Sequence, residues 1–171
     1  EVGCVAEAGF IAAAVQGEGV LTRRRGKEDC EFREEGDGSD FVAEWRAFQY
    51  AKDVRYDVGR CAQSGILARG AREVSKSLEQ LERTAVRMGL DWGEVDFDLR
   101  RDELSRVMLA AFSDRLAVRW GEATLACRVV GGRRGKLDAS SAVKNAQAFI
   151  AAEMTEVEGK DVVVYLNRCA E

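Results

Sequence analysis

The sequence predicts an α+β chain in two segregated halves, a helical bundle followed by a small antiparallel β domain. Three observations carry this. Apolar residues recur at helical spacing from Val2 to Phe112, the period shortens to alternation after Phe112, and Gly-Gly punctuates the alternating part. At 171 residues the chain is long enough for one ordinary domain or two small ones. We divide it into a helical part, 1–111, containing a long polar loop at 17–39, and a β part, 112–171.

The opening stretch Val2–Val15 is Ala-rich and almost uncharged after Glu7, with apolar residues all round. Such a helix is buried on most sides, and Gly17 and Gly19 stop it. Residues 17–39 carry Arg23-Arg24-Arg25, Lys27 and an acidic run ending in Gly36-Asp37-Gly38, the signature of an exposed polar loop. Ser39 is a good N-cap, and Asp40 in the first turn suits the helix dipole. Phe41, Val42, Trp45, Phe48 and Ala51 then trace one helical face. A short helical piece around Tyr56–Cys61 leads to Ser64-Gly65.

The clearest periodicity follows. Leu67, Ala71, Val74, Leu78, Leu81, Ala85 and Met88 are spaced alternately by four and three, with Gly89 as the C-cap. The stripe fits one helix packed on a helical domain better than a coiled-coil dimer, since two of its seven seam residues are Ala. Leu90–Asp98 is a connector. A further helix spans about 99–112 through Leu104, Val107, Met108 and Ala111, with Asp98 as candidate cap.

Residues 115–119 alternate, with Leu116 and Val118 on one side. Ala123–Val130 favours β structure, Gly131-Gly132 makes a hairpin turn, and 133–138 is the return strand. Ala148–Glu156 and Asp161–Cys169 are two more strands around Glu158-Gly159-Lys160.

Composition excludes several chemistries. There is no His, so no His-based general base, Ser-His-Asp triad or Cys-His metal site can form. The five cysteines, at 4, 30, 61, 127 and 169, contain no C-x-x-C pair and are read as buried or idle thiols in a reducing compartment. No apolar run approaches the roughly 20 residues of a membrane helix, so a soluble, cytoplasmic protein without membrane contact is expected. Gly17-Glu18-Gly19 lacks a dinucleotide fingerprint. Gly131-Gly132-Arg133-Arg134-Gly135-Lys136 lacks the P-loop spacing, and Leu137 stands where a hydroxyl would hold magnesium. No catalytic residue, cofactor or metal ligand is assigned.

The net charge of −4 argues against a broadly basic surface, yet its distribution is uneven. Residues 112–171 hold nine Lys/Arg against eight Asp/Glu, whereas 1–111 hold 17 against 22. Arg23-Arg24-Arg25 has acids nearby and reads as a solvated run. Arg133, Arg134 and Lys136 at a hairpin tip could follow a phosphate backbone, or be ordinary exposed charge. No aromatic is interleaved within that run, so base stacking is not evident from it.

Three stretches carry a family likeness: Ser39-Asp40-Phe41 with Trp45-Arg46-Ala47; Arg60-Cys61-Ala62-Gln63-Ser64-Gly65-Ile66 followed by Ala71-Arg72-Glu73-Val74 and Leu78-Glu79-Gln80; and Gly132-Arg133-Arg134-Gly135 followed by Ser141-Ala142-Val143. Together they resemble the region behind the two motor lobes in HrpB-like DEAH/DExH-box ATP-dependent RNA helicases. The resemblance implies a helicase-associated, ratchet-like helical domain followed by an oligonucleotide-binding-fold-like (OB-fold-like) domain, possessing no ATPase residues of its own. ATP and magnesium would belong to the motor lobes. Implied partners are RNA or another single-stranded nucleic acid, and the motor lobes of the same protein. Arg133, Arg134 and Lys136 are then the leading nucleic-acid contacts, with Arg115, Arg119 and Arg128 on neighbouring strands as weaker ones, and a monomer is expected. This chain is more acidic than the wider DEAH family and has no Pro. The competing reading is a protein-interaction module without nucleic-acid contact, to which the acidic helical half would be suited.

Overall fold

A computed structural model describes residues 3–22, 30–122, 124–157 and 163–171. Five α-helices come first: α1 (Val5–Gln16), α2 (Asp40–Asp53), α3 (Val58–Gln63), α4 (Ala68–Arg87) and α5 (Arg101–Ala111). A 3-10 turn at Ser113–Arg115 leads into β1 (Leu116–Arg119), β2 (Ala126–Val129), β3 (Arg134–Leu137), β4 (Ala148–Val157) and β5 (Val163–Ala170). The α+β class is as the periodicities predict. The Arg23–Arg25 run with Lys27, and the turn at 158–160, lie outside the described residues.

The chain divides into two compact units whose boundaries run through α2 and α5. One comprises residues 1–24 and 44–107; the other comprises 25–43 and 108–171. Residues 30–43 therefore group with the strands, although the sequence reading joins them to the helices.

In the helical unit, α1 is the central element, and its near-complete burial explains why apolar and small residues surround it. Phe10 sits among Trp45, Phe48 and Phe97, with ring centroids 5.0, 5.7 and 6.1 Å away. Edge and tilted approaches of this kind satisfy the ring quadrupoles as well as burying area. Glu7, also buried, accepts a hydrogen bond from the Asp96 backbone N–H at 2.8 Å, which ties the 90–98 connector to α1. Helix α4 buries Ala71, Val74 and Ala85 from the predicted stripe, while Met88 at its end is exposed. Its Gly70 is required by close approach: a Cβ there would lie 2.0 Å from the carbonyl oxygen of Gly19. The predicted cap Ser39 accepts the N–H of Phe41 at 3.2 Å, as an N-cap should.

In the second unit the strands close into a barrel in the order β1-β2-β3-β5-β4. All pairings are antiparallel except β3 with β5, which is parallel and joins Lys136 to Tyr165 and Leu137 to Leu166. This pairing across sequence turns the antiparallel sheet expected from local patterns into a closed barrel. Ala117, Cys127, Val129, Leu137, Val143, Phe149, Ala151, Leu166 and Cys169 fill it. Gly135 faces inward because a Cβ would come 2.9 Å from Leu166. The predicted Gly131-Gly132 hairpin turn is present, with φ of +83° and +81° and the Val129 N–H donating to Arg133 O at 2.8 Å. The Gly132 N–H donates to Val129 O at 3.1 Å, so the loop is the three residues Val130, Gly131 and Gly132, with glycine at both left-handed positions.

Residues 38–40 lock onto the end of the barrel. Ser39 bridges Ala170, and the Glu171 N–H donates to Gly38 O at 2.9 Å. The Asp40 carboxylate accepts from the N–H groups of Ala142 and Cys169, at 2.7 and 2.9 Å, and from the Ser141 hydroxyl at 2.9 Å. Arg33 adds an ion pair at 3.5 Å. Burial pushes the Asp40 carboxyl up from its ordinary value, against the pull of these donors.

All five cysteines are free, and four of them are buried. Burial pushes the Cys169 thiol well above its usual range, which suits a packing role rather than a reactive one. Among the described residues, no helix is long and apolar enough to cross a membrane.

Candidate nucleic-acid interface

Strands β1, β2 and β3 alternate between the packed interior and an outer face. Ala117, Cys127, Val129 and Leu137 point in; Val118, Arg128, Arg134 and Lys136 are exposed. Register places Val118 opposite Arg128, and Arg128 opposite Arg134, so these three form one row across the sheet. The next row contains Ala126 and Lys136, which are register partners, and Trp120, whose backbone N–H donates to Ala126 O at 3.0 Å.

Trp120 is 54% exposed, and the Arg134 guanidinium lies over its ring, 5.2 Å from the centroid. Val118 and Val130 are exposed nearby. An apolar platform and a row of cations thus share one sheet face. Opposed like charges on neighbouring strands are destabilising. Arg128 and Arg134 nevertheless face each other, and neither they, Arg133 nor Lys136 has an ion-pair partner among the described residues.

The predicted site residues fall into two groups. Arg128, Arg133, Arg134 and Lys136 come together as exposed cations on β2, β3 and the connecting turn. Arg119 and Arg115 do not join them. Arg119 is buried, its guanidinium donating to the backbone carbonyls of Lys144 and Glu122, which fastens two loops to β1. Arg115 is half-buried, donates to the Ala152 carbonyl, and stacks 5.2 Å from the Phe112 centroid. Both serve the barrel's own backbone.

Trp120 is the residue that sequence reasoning missed. It stands 14 positions before Arg134, so no aromatic appears within the basic run, and only strand register brings it there. The two-residue spacing of Val118 and Trp120 could have signalled a shared face.

Chemically, this surface offers forked and mobile donors to phosphate oxygens, with an indole face suited to a planar ring. Among the described residues, no group of His, Cys, Asp and Glu could hold a metal ion. No known protein-family model matches the chain, and no curated protein matches it.

Proposed function

We propose that this chain is a non-catalytic accessory region of an ATP-dependent RNA helicase that contacts single-stranded nucleic acid through its barrel. The observation that carries the nucleic-acid reading is the opposed Arg128–Arg134 pair, without an ion-pair partner among the described residues, beside the exposed Trp120. An anionic strand lying there would relieve the repulsion of the cations, and the indole would stack on a base. The strand order supports an OB-fold-like assignment, a fold whose second and third strands form an oligonucleotide-binding face. Assignment to a helicase rests on the three HrpB-like stretches described above. In that reading the helical unit packs on the motor lobes of the same protein, which bind ATP and magnesium.

Fluorescence anisotropy of a labelled single-stranded RNA, titrated with the intact chain at two salt concentrations, tests the proposal. Neutralising up to four phosphates gives a log–log salt slope no steeper than about −3, from roughly −0.7 per contact. Trp120→Ala should cost about 1–3 kcal/mol of binding without altering that slope. Arg134→Ala with Lys136→Ala should make the slope shallower. Absence of salt-sensitive binding at low ionic strength would reject the nucleic-acid reading. A second reading, docking of a protein partner, is favoured by exposed Val86, Met88 and Leu90 at the end of α4, and predicts affinity with little salt dependence.

A further inference from the structure

The helical unit carries a second cationic feature, remote in sequence from the barrel strands. Where α2 ends, Arg55 and Tyr56 both adopt left-handed backbone conformations, with φ of +55° and +56°. Non-glycine residues in this region are strained, and two in succession persist only where the surroundings enforce them. The Tyr56 N–H donates back to Ala51 O at 2.7 Å, closing the turn. The strained turn places Arg55 at the edge of a depression of about 620 Å³, whose lining also includes Asp57, Gly59, Arg60 and Arg72.

Three arginines and one aspartate thus line a single shallow, open depression. Arg72 reaches it from α4 and is held in place: its guanidinium donates to Tyr56 O at 2.8 Å and lies 5.9 Å from the Tyr56 ring centroid. That bond uses one nitrogen and leaves further N–H groups for a ligand. Asp57 is already engaged as the N-cap of α3, accepting the Arg60 N–H at 2.9 Å. No ion pair joins Arg55, Arg60 or Arg72 to a carboxylate among the described residues, although the chain has 30 acids for 26 bases. The cluster keeps a local excess of two positive charges in a chain of net charge −4.

We propose that Arg55, Arg60 and Arg72 form a binding pocket for a phosphate group. All three arginines are exposed to solvent, and the Arg72 guanidinium is positioned in advance by its bond to Tyr56 O. Paired N–H donors match the oxygens of a phosphate, and bonds between charged partners are the strong ones. The ligand is a phosphomonoester or free phosphate, or a phosphodiester of a polynucleotide. The inference is independent of the barrel face and stands if that face binds nothing.

The test is an amide and arginine side-chain NMR titration of the intact 15N-labelled chain with sodium phosphate, beside sodium chloride of equal ionic strength. Saturating shifts at Asp57–Arg60 and at the Arg72 Nε–H, produced by phosphate and not by chloride, are expected. Arg60→Ala, which retains the backbone cap, should weaken them about tenfold or more. A parallel titration with oligouridylate uses an Arg134→Ala/Lys136→Ala chain, whose barrel cations are reduced. Saturation at lower concentration than with phosphate assigns the pocket to a polynucleotide backbone; weaker or no saturation assigns it to a small phosphate. Equal effects of phosphate and chloride, or shifts unchanged in Arg60→Ala, would overturn the proposal.

Discussion

Replacing Asp40 with Ala should destabilise the barrel unit far more than a change in the first turn of an ordinary helix. The carboxylate accepts two backbone N–H groups, one hydroxyl and one guanidinium. Ser141 and Arg33 can turn elsewhere. The N–H groups of Ala142 and Cys169 cannot, because their positions are set by the chain. A buried donor left without a partner costs about 1–3 kcal/mol, so two give about 2–6 kcal/mol. A loss of about 3–5 kcal/mol is therefore expected, the range typical of breaking a buried charged cluster from one side. Urea unfolding followed by circular dichroism measures it. At a slope of about 2 kcal/mol per molar, the midpoint should fall by roughly 2 M with the slope unchanged. Hydrogen exchange at the Ala142 and Cys169 amides should accelerate together. A loss below about 1 kcal/mol, or continued protection of both amides, would refute the idea that this carboxylate closes the barrel end.

Protonation of the same residue gives a signed pH effect. Its folded pKa is raised by burial, so its titration contributes stability that is fully present below the unfolded value of about 4 and lost as pH rises through the folded one. Asp40→Asn should remove that decline from a plot of unfolding free energy against pH, and an unchanged slope would count against it. Gly135→Ala inserts a methyl 2.9 Å from Leu166 and should cost about 1–3 kcal/mol, seen as a lower unfolding midpoint. Gly70→Ala meets backbone rather than a side chain, at 2.0 Å from Gly19 O, so it should cost at least as much and loosen hydrogen-exchange protection of the Leu67 N–H, which donates to Val20 O. Arg55→Gly relieves a left-handed conformation and should raise thermal stability, or leave it unchanged, by up to about 1 kcal/mol.

What could be read from the sequence was what local physics dictates. The α4 stripe, the Ser39 cap and the Gly131-Gly132 turn each depend on residues within a few positions of one another, and each appears as expected. What could not be read depends on distant pairing. The parallel contact of β3 with β5 leaves no mark in either strand's alternation, so a barrel was implied only by the OB-fold-like resemblance and not by local pattern. Asp40 looked like a helix-dipole residue because its partners Ser141, Ala142 and Cys169 lie about a hundred positions or more away. The candidate interface was half legible. The cations at 133, 134 and 136 stand together in the sequence, while Trp120 reaches them only through register. Arg119 illustrates the converse error of composition: a cation on a strand adjoining a basic face can be turned inward to hold carbonyls.

The contact between Asp40 and Cys169 spans 129 residues. During synthesis, the first turn of α2 leaves the ribosome long before the last strand exists, carrying a carboxylate destined for burial. Until β5 arrives, that charge favours water, and Gly38 and Ser39 lack the Glu171 and Ala170 partners they bridge in the finished barrel. Helices built on nearby residues can form while translation continues, but the barrel can be sealed only when its final residues emerge. A nascent chain stalled before Cys169 should therefore leave the Asp40 carboxylate solvated. Its titration would then register whether the last strand has arrived.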